Sequence, residues 1–374
     1  MKIVVTGAGG LLGWHAAVQL HAHNCAARFR KEPEPFTVIP LDRARFSDRI
    51  RLMEGLAEAD AVLHFAGVNR APADEIERSN SVIAKMLVEG CQDVGVMPHV
   101  VYANSTHAGS DTPYGRSKFR AGEILKAFTP RFTDLVLPHI FGEGARPYYN
   151  NVTATFIDQV VRGETPSLNP DGAVQLLHAG AAAAAAIGAA SDAVTGTLRP
   201  DSHPMSVADL LARIEHFHEA YQANEYPDLG DPFELALFNT YRATLYPKGF
   251  PQRLKLNSDS RGTLFEAVKG GGGGQTFLSW TQPGMTRGNH FHLKKVERFL
   301  VLEGEATIRI RRVLGGPIWE YQVSGDAPAA VDMPTMHTHS IENTGGRPLL
   351  TLFWAHEFFD PGAPDTYADP VIGG

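Results

Sequence analysis

The sequence predicts two domains, a doubly wound α/β sheet followed by an all-β region, and three observations carry this prediction. A length of 374 residues is too great for one average domain. Up to about residue 245, apolar strands alternate with helical segments, which implies right-handed crossovers between parallel strands. Beyond that point, short strands separated by turns containing Gly and Pro predict a small sandwich or barrel. We therefore expect domains at residues 1–245 and 246–374.

Each element follows from its own pattern. Apolar segments without strict alternation predict buried parallel strands at residues 2–6, 36–41, 61–66, 99–104 and 133–139. Helical spacing, or a run of the strong helix former alanine, predicts helices covering residues 11–20, 73–94, 117–127, 181–186 and 206–223. Strand patterns in the second domain are GQTFLSWTQ, ERFLVLEGEATIRIRR, WEYQVSG, AAVDMP and LLTLFWAHEFF. The five glycines at 270–274 predict a flexible hairpin loop.

Composition excludes several classes of protein. Charged residues make up 20% and hydrophobic residues 43% of the chain, which excludes intrinsic disorder for most of it. A net charge of −7 without a Lys/Arg run argues against binding to nucleic acid or anionic membranes. Cys25 and Cys91 cannot build a disulfide framework, so a metal site would need ligands among the 16 histidines and the carboxylates. The sequence shows no signal-peptide or membrane-spanning pattern, and we expect a soluble cytoplasmic protein.

A glycine-rich turn directly follows the first strand and opens the first helix. Gly7, Gly10 and Gly13 permit a tight turn, close approach of a pyrophosphate, and close packing of helix on strand. The helix that begins at Leu11 and Leu12 offers its N-terminal N–H groups to the same phosphates. This strand, turn and helix context predicts a dinucleotide site.

The end of the second strand carries the residues that select between NAD and NADP. Asp42 suits the ribose hydroxyls of NAD, whereas Arg43 suits the 2′-phosphate of NADP. Because both are present, the residues themselves leave the choice open.

A tyrosine and a lysine lie four residues apart in a predicted helix. Tyr114 and Lys118 therefore share a helix face, and a nearby ammonium favours the phenolate, so we expect a lowered tyrosine pKa and proton exchange with a substrate oxygen. Ser105, at the end of the fourth strand, could hydrogen-bond the same oxygen, with Thr106 as a substitute.

These residues resemble the extended short-chain dehydrogenase/reductases, a Rossmann-like family that acts mostly on nucleotide-linked sugars. The matching features are TGAGGLLG, the segment HFAGVN with Ala66 and Gly67 at the cofactor, and the set Ser105, Tyr114 and Lys118. The resemblance implies that Tyr114 donates the proton, Lys118 binds the nicotinamide ribose and Ser105 orients the substrate. The chain departs from the family at residues 177–180, LHAG, where an aromatic residue and aspartates are usual; we expect altered packing and unaltered chemistry.

Four potential metal ligands occur in the second domain. His290 and His292 are two residues apart on a strand and so point the same way, and Glu297 opens the next apolar strand. A buried carboxylate there is costly unless it is neutralised, and a divalent cation held with His339 as the fourth ligand would neutralise it. Nitrogen and oxygen ligands fit zinc, iron, manganese or nickel.

This pattern is similar to the two motifs of the cupin family, with Met336 where the second motif usually has glycine. The two halves together, with the segments GVNR, PYYNNVTATF, DSRGTLFE, TRGNHFH and FDPGAPDTY, resemble the bifunctional capsular-polysaccharide enzymes of the CapF type. That resemblance implies a reductase domain joined to a cupin jelly-roll barrel, NADPH and Zn²⁺ as cofactors, and a homodimer.

The same resemblance implies a two-step reaction. The cupin would epimerise C3 of UDP-2-acetamido-2,6-dideoxy-β-L-arabino-hex-4-ulose, and the reductase would then reduce C4 with NADPH to UDP-2-acetamido-2,6-dideoxy-β-L-talose, a precursor of N-acetyl-L-fucosamine. A C3 proton beside a C4 ketone is acidic because its loss gives an enolate. The resemblance places four residues in the substrate cleft: Asn69, Arg70, Asn150 and Asn151.

The base that removes the C3 proton stays open at this point. His337 is two residues from His339 and so on the same strand face, Lys295 is a second candidate, and His337 could equally pack without a chemical role. Two rivals to the bifunctional enzyme are also open. One is a reductase whose cupin is only a structural or dimerising module, and the other is a non-enzymatic dinucleotide sensor.

Overall fold

The chain forms two compact units, and the computed structural model describes residues 1–373. The first unit comprises Met1–Thr155 and Asn169–Val207, and the second comprises Phe156–Leu168 and the residues from Ala208 onward. The expected domain boundary near residue 245 stays a prediction. In the part of the chain that is described, no helix is both long enough and apolar enough to cross a membrane.

The first unit contains nine strands and most of seven helices. The strands are β1 (Lys2–Thr6), β2 (Thr37–Leu41), β3 (Ala61–His64), β4 (His99–Ser105), β5 (Phe132–Leu137), β6 (His139–Phe141), β7 (Ala173–His178), β8 (Gly196–Leu198) and β9 (His203–Ser206). The helices are α1 (Leu11–Phe29), α2 (Arg43–Ser47), α3 (Arg49–Leu56), α4 (Ala73–Asp93), α5 (Pro113–Phe128), α6 (Val152–Val161), which ends in the second unit, and α7 (Ala179–Ser191).

A parallel sheet with the strand order β2-β1-β3-β4-β5-β8 forms the centre of the first unit. Ile3 and Val5 pack on one face with residues of α1 and α7, whereas Val4 packs on the other face with residues of α3 and α4. Because both faces are buried, the strands are apolar throughout, and the predicted doubly wound sheet is confirmed. The winding reverses at β1, so the carboxyl ends of β1 and β3 flank the crevice where such sheets bind ligands.

The segment predicted as one strand at 133–139 is divided by Pro138. Proline has no N–H to continue a ladder, and β5 ends before it. β6 begins after it and pairs with β7, which pairs with β9 in a small second sheet.

The second unit contains two further helices and fourteen strands in the described residues. In chain order they are α8 (Val207–Gln222), β10 (Glu225–Tyr226), α9 (Pro232–Leu245), β11 (Gln252–Arg253), β12 (Asn257–Asp259), β13 (Gly262–Leu264), β14 (Lys269–Gly270), β15 (Gln275–Thr281), β16 (Thr286–Phe291), β17 (Glu297–Glu303), β18 (Glu305–Arg312), β19 (Ile318–Ser324), β20 (Ala329–Met333), β21 (His337–Asn343), β22 (Leu349–Ala355) and β23 (Tyr367–Ala368).

Two antiparallel five-stranded sheets make up most of the second unit, as the strand patterns predict. Their orders are β11-β20-β17-β22-β15 and β19-β18-β21-β16-β23. Apolar side chains of both sheets form one core, in which Phe299 and Phe353 of the first sheet meet Ile308 and Ile341 of the second.

The glycine run at 270–274 contacts another segment of the second unit. β14 pairs in parallel with β10, and the Gly271 N–H donates to the Tyr226 carbonyl oxygen at 2.8 Å. A Cβ on Gly272 would lie 2.5 Å from the Asp228 side chain. The segment is therefore a loop but not a hairpin, because β14 pairs with β10 and β15 pairs with β22. Glycine lets it lie directly against residues 226–228.

A buried ion pair ties α8 and β10 to strands β17 and β20. Arg298 and Asp332 are both 0% exposed, with Nε 2.7 Å from Oδ1 and Nη2 2.9 Å from Oδ2. Tyr226 donates to Oδ2 at 2.6 Å, and Tyr221 of α8 donates to the same oxygen. Burial opposes ionisation of Asp332, but Arg298 outweighs it and holds the pKa of Asp332 below its ordinary value.

Candidate active sites

The glycine-rich turn joins β1 to α1 where the sequence predicts it. Gly7 has a φ of +69°, and a Cβ there would lie 2.8 Å from the Ala66 nitrogen, just beyond β3. A Cβ on Gly13 would lie 2.2 Å from the Gly7 carbonyl oxygen, so the helix packs directly on the turn. Gly10 is the N-cap of α1, ahead of Leu11, and donates to the Gly7 oxygen at 2.8 Å. This cradle of bare backbone fits a dinucleotide pyrophosphate.

Asp42 and Arg43, the candidates for selecting between NAD and NADP, lie exposed at the end of β2. Asp42 caps α2 by accepting the Arg45 N–H at 2.8 Å through one carboxylate oxygen. Its Cβ is 3.9 Å from the position that a Cβ on Gly9 would occupy, so Asp42 flanks the glycine turn. Arg43 follows immediately. The end of β2 thus carries one acidic and one basic side chain.

Ser105 ends β4, and Tyr114 and Lys118 lie in the first part of α5. Burial raises the pKa of Tyr114, and a hydrogen bond with Ser105 opposes that rise. Lys118 Nζ donates to a β4 carbonyl oxygen and lies 4.1 Å from the centre of the Tyr102 ring. Burial lowers the pKa of Lys118 to about 7. The Thr106 N–H extends the β4–β5 ladder.

The expected influence of Lys118 on Tyr114 is not what the structure shows. Their spacing predicts an ammonium that lowers the tyrosine pKa, but the ammonium is turned toward β4 and Tyr102, and burial raises the pKa of Tyr114 instead. The structure therefore places Tyr114 in a hydrogen bond with Ser105, whereas the Lys118 ammonium lies against β4.

Asn80 of α4 is a positioning residue that sequence reasoning missed. Its amide accepts the Val68 N–H at 2.9 Å and donates to the Val68 carbonyl oxygen at 3.0 Å and to Ser117 Oγ at 2.8 Å. Ser117 in turn donates to the Tyr114 carbonyl oxygen at 2.9 Å. A Cβ on Gly67 would lie 2.9 Å from Asn80 Oδ1. The available signal was that Asn80 shares the helical spacing of Ala84, Leu87 and Cys91 on the apolar face, where an amide needs partners.

The residues expected in the substrate cleft lie on two loops that meet. Asn150 donates to the Asn69 carbonyl oxygen at 2.7 Å, and the Arg70 guanidinium lies 5.8 Å from the centre of the Tyr149 ring. Asn151 differs, because its amide donates to a β6 carbonyl oxygen at 2.9 Å and its oxygen accepts an α6 N–H at 2.9 Å. Its side chain therefore anchors the segment instead of facing a ligand.

The departure at residues 177–180 has a structural explanation. His178 is the N-cap of α7, with Nδ1 accepting the Gly180 N–H at 3.3 Å, and its Nε2 lies 2.7 Å from Glu143 Oε2. His15 donates to the Glu143 carbonyl oxygen at 3.0 Å. Burial would raise the pKa of Glu143, but His178 and His15 outweigh it and hold the value at about 2. The histidine thus performs the capping that an aspartate usually performs.

The four ligand candidates of the second unit converge. One ligand atom from each of His290, His292, Glu297 and His339 lies within 4.8 Å of the others. His292 Nε2 is 3.0 Å and His339 Nε2 3.7 Å from Glu297 Oε2. Burial opposes the Glu297 charge, but the imidazoles hold its pKa well below the ordinary value, while burial lowers that of His290 to about 2. A buried carboxylate among three imidazoles is a donor set for a divalent cation.

A β-bulge in β16 puts Arg287 on the same strand face as His290 of this cluster. In the pairing of β16 with β21, Arg287 lies opposite Ile341 and His290 opposite His339, because Asn289 is an extra residue with a φ of +58°. Residues 339 and 341 share a face of β21, so Arg287 and His290 also share a face although they are three residues apart.

A cavity of about 550 Å³ opens over the cluster. Its floor includes His290 and Glu297, and its walls are mostly apolar side chains of β15, β17 and β22 together with Arg287. Neither candidate base is among the described residues that line it. His337 is buried against the Tyr246 ring with Nδ1 bonded to a backbone oxygen, and Lys295 donates to the Pro364 carbonyl oxygen at 2.9 Å.

Two segments of the chain match known families. Residues 3–196 match the model described as the NAD dependent epimerase/dehydratase family, and residues 257–367 match the polysaccharide biosynthesis C-terminal domain. The chain is 32% identical over 384 residues to the UDP-2-acetamido-2,6-beta-L-arabino-hexul-4-ose reductase of Pseudomonas aeruginosa, with 100% of both chains covered. The chain belongs to the NAD dependent epimerase/dehydratase family.

The resemblance to the CapF type is confirmed over the whole length. The capsular polysaccharide assembling protein CapF from Staphylococcus aureus matches 99% of this chain and 100% of its own at 29% identity, with a TM-score of 0.58. A UDP-N-acetylglucosamine 4-epimerase from Bacillus cereus matches 67% of this chain and 97% of its own at 19% identity, with a TM-score of 0.52, and shares the fold.

Proposed function

We propose that this chain is a bifunctional nucleotide-sugar enzyme of the CapF type. It epimerises C3 of UDP-2-acetamido-2,6-dideoxy-β-L-arabino-hex-4-ulose in a C-terminal cupin jelly-roll and then reduces C4 to UDP-2-acetamido-2,6-dideoxy-β-L-talose. The observation that carries the proposal is that one chain contains a glycine cradle and a serine–tyrosine pair in the first unit and a four-ligand cluster under a cavity in the second. The P. aeruginosa relative, named as a reductase of such a keto-sugar, supports the reduction.

For reduction, residues of the first unit donate a proton and hold the substrate in place. When bound, NADPH supplies the hydride for C4. The raised pKa of Tyr114 keeps its phenol protonated, and it donates this proton to O4 as negative charge develops there. Ser105, bonded to Tyr114, orients the ketone oxygen, and Lys118 binds the nicotinamide ribose. Arg43 favours NADPH over NADH, with Asp42 as the opposing influence.

For epimerisation, the cluster of the second unit fits Zn²⁺. In the described part of the chain, His339 Nε2 is buried without a hydrogen-bond partner, which a cation would relieve. The Nδ1 atoms of His292 and His339 are bonded to backbone oxygens at 2.6 and 3.2 Å, which turns both Nε2 atoms toward the centre. When bound, a divalent cation supplies Lewis acidity at a substrate oxygen next to C3.

A second candidate is a reductase whose C-terminal domain is structural or dimerising. The contacts of the two candidate bases favour it, since His337 is packed against Tyr246 and bonded to a backbone oxygen, and Lys295 donates to the Pro364 carbonyl oxygen. In both versions we expect a homodimer.

Incubating the full-length enzyme with the keto-sugar in deuterated water, without NADPH, separates the two. The bifunctional enzyme incorporates deuterium at C3, and adding NADPH then yields the C3-inverted alcohol. Glu297→Gln should lose the exchange and Tyr114→Phe should keep it. A wild-type enzyme that oxidises NADPH but leaves C3 unlabelled would be the single-function reductase.

A further inference from the structure

The cavity over the four-ligand cluster is lined mostly by apolar side chains. Phe277, Trp280 and Phe353 contribute to its walls, and its volume of about 550 Å³ lies within the range of small-molecule sites. Among the described residues that line it, Arg287 carries the one permanent positive charge. A ligand that fills this cavity therefore meets an apolar wall, the cluster, and one guanidinium.

The bulge at Asn289 sets the distance between that guanidinium and the cluster. Arg287 and His290 are two pairing positions apart along β21, which corresponds to about 7 Å along the strand. Gly288, between them, has a φ of +93°, and a Cβ there would lie 2.7 Å from the His339 carbonyl oxygen. Only glycine permits this close approach, so the bulge fixes both side chains on the cavity face.

One hydrogen bond orients the guanidinium of Arg287, which is an exposed residue. Arg287 Nε donates to Thr281 Oγ1 at 3.0 Å, and Thr281 is buried. The two terminal nitrogens remain as a planar pair of donors, the geometry with which arginine binds phosphate oxygens.

We propose that Arg287 anchors the diphosphate of the nucleotide sugar in the C-terminal site. This inference rests on the proposed epimerase function. In a nucleotide sugar the diphosphate is attached to C1, two carbons from C3, so a substrate with C3 over the cluster brings its phosphates toward Arg287. The anchor selects diphosphate-linked sugars and sets C3 at the cluster.

The test uses the full-length, metal-loaded enzyme and C3 exchange in deuterated water without NADPH, which reports the C-terminal site alone. We expect Arg287→Ala to raise KM for exchange about 10- to 100-fold, the effect of losing hydrogen bonds to a charged group. Inorganic pyrophosphate should inhibit exchange by the wild-type enzyme competitively and should lose this effect in the variant. Arg347→Ala, an exposed arginine outside the described cavity lining, is the matched control and should leave both measurements unchanged.

The outcomes are distinguishable. Wild-type exchange with an unchanged KM in Arg287→Ala overturns the anchor and leaves the epimerase intact. No exchange by the wild-type enzyme overturns the epimerase itself. NADPH-dependent reduction of the already epimerised sugar should be equal in all variants and shows that the protein is folded. If reduction is lost in Arg287→Ala, KM for exchange is measured in Arg287→Gln instead. An unchanged KM in that variant again counts against the anchor.

Discussion

Replacing Asp332 by asparagine tests whether the buried ion pair stabilises the second unit. Asparagine keeps the shape and can still accept from the tyrosine hydroxyls, but it leaves the Arg298 guanidinium, which is 0% exposed, without a compensating charge. Removing one partner of a buried pair costs about 3–5 kcal/mol. Since the tyrosine hydrogen bonds to the side-chain oxygen can persist, we expect a loss at the lower end, about 3 kcal/mol.

Urea unfolding followed by tryptophan fluorescence measures this loss at a fixed zinc concentration. Three of the four tryptophans, at positions 280, 319 and 354, lie in the second unit, so the fluorescence change reports mainly on that unit. Glu320→Gln is the matched control, because Glu320 pairs with Arg309 at 2.6 Å but is half exposed, and we expect a change below about 1 kcal/mol. An Asp332→Asn variant no less stable than this control would refute the reasoning.

The same pair predicts a pH dependence. Because Arg298 lowers the pKa of Asp332 despite its burial, the stabilisation is complete above the unfolded-state pKa, about 3.9, and is lost as pH falls through the folded-state value. The difference in free energy of unfolding between wild type and Asp332→Asn should therefore shrink below about pH 4.

Three further predictions concern activity. Tyr114→Phe should lower the rate of NADPH-dependent reduction by about 10²- to 10⁴-fold, the usual worth of a general acid, with C3 exchange unchanged; an equal loss of both would point to misfolding. Glu297→Gln should lower bound zinc, measured by elemental analysis, and abolish exchange while reduction of the epimerised sugar persists; full zinc content would contradict the ligand assignment. Because burial lowers the pKa of Lys118 to about 7, its ammonium is lost above that pH, so kcat/KM for NADPH should fall as pH rises through about 7, and Lys118→Arg should remove this fall. A flat wild-type profile would count against a role for the ammonium.

The fold was largely predictable because its signals are local. Buried strands that are apolar throughout and glycines at positions 7, 10 and 13 define the doubly wound sheet without knowledge of distant contacts. The convergence of the four ligand candidates of the second unit was also predictable, since a buried carboxylate is costly unless it is neutralised. The grouping of Arg287 with His290 was not, because alternation places residues three apart on opposite faces, and only the bulge at Asn289 reverses that.

Features that depend on distant partners escaped prediction. The Lys118 ammonium is turned by a β4 carbonyl oxygen and the Tyr102 ring, contacts that helical spacing does not encode. The glycine run at 270–274 predicted a hairpin loop, whereas its contacts are with residues 226–228, more than forty positions earlier in the chain. Arg298 and Asp332 are likewise 34 residues apart and individually resemble surface charges.

The histidine cap of α7 makes two parts of the first unit depend on one side chain. Nδ1 of His178 accepts the Gly180 N–H in the first turn of α7, and Nε2 lies 2.7 Å from Glu143 Oε2. An aspartate could accept the same N–H, but its carboxylate would repel that of Glu143. The two ring nitrogens instead bind separate partners, so one imidazole holds the start of the helix and the segment after β6 together. Replacing His178 would therefore loosen both at once.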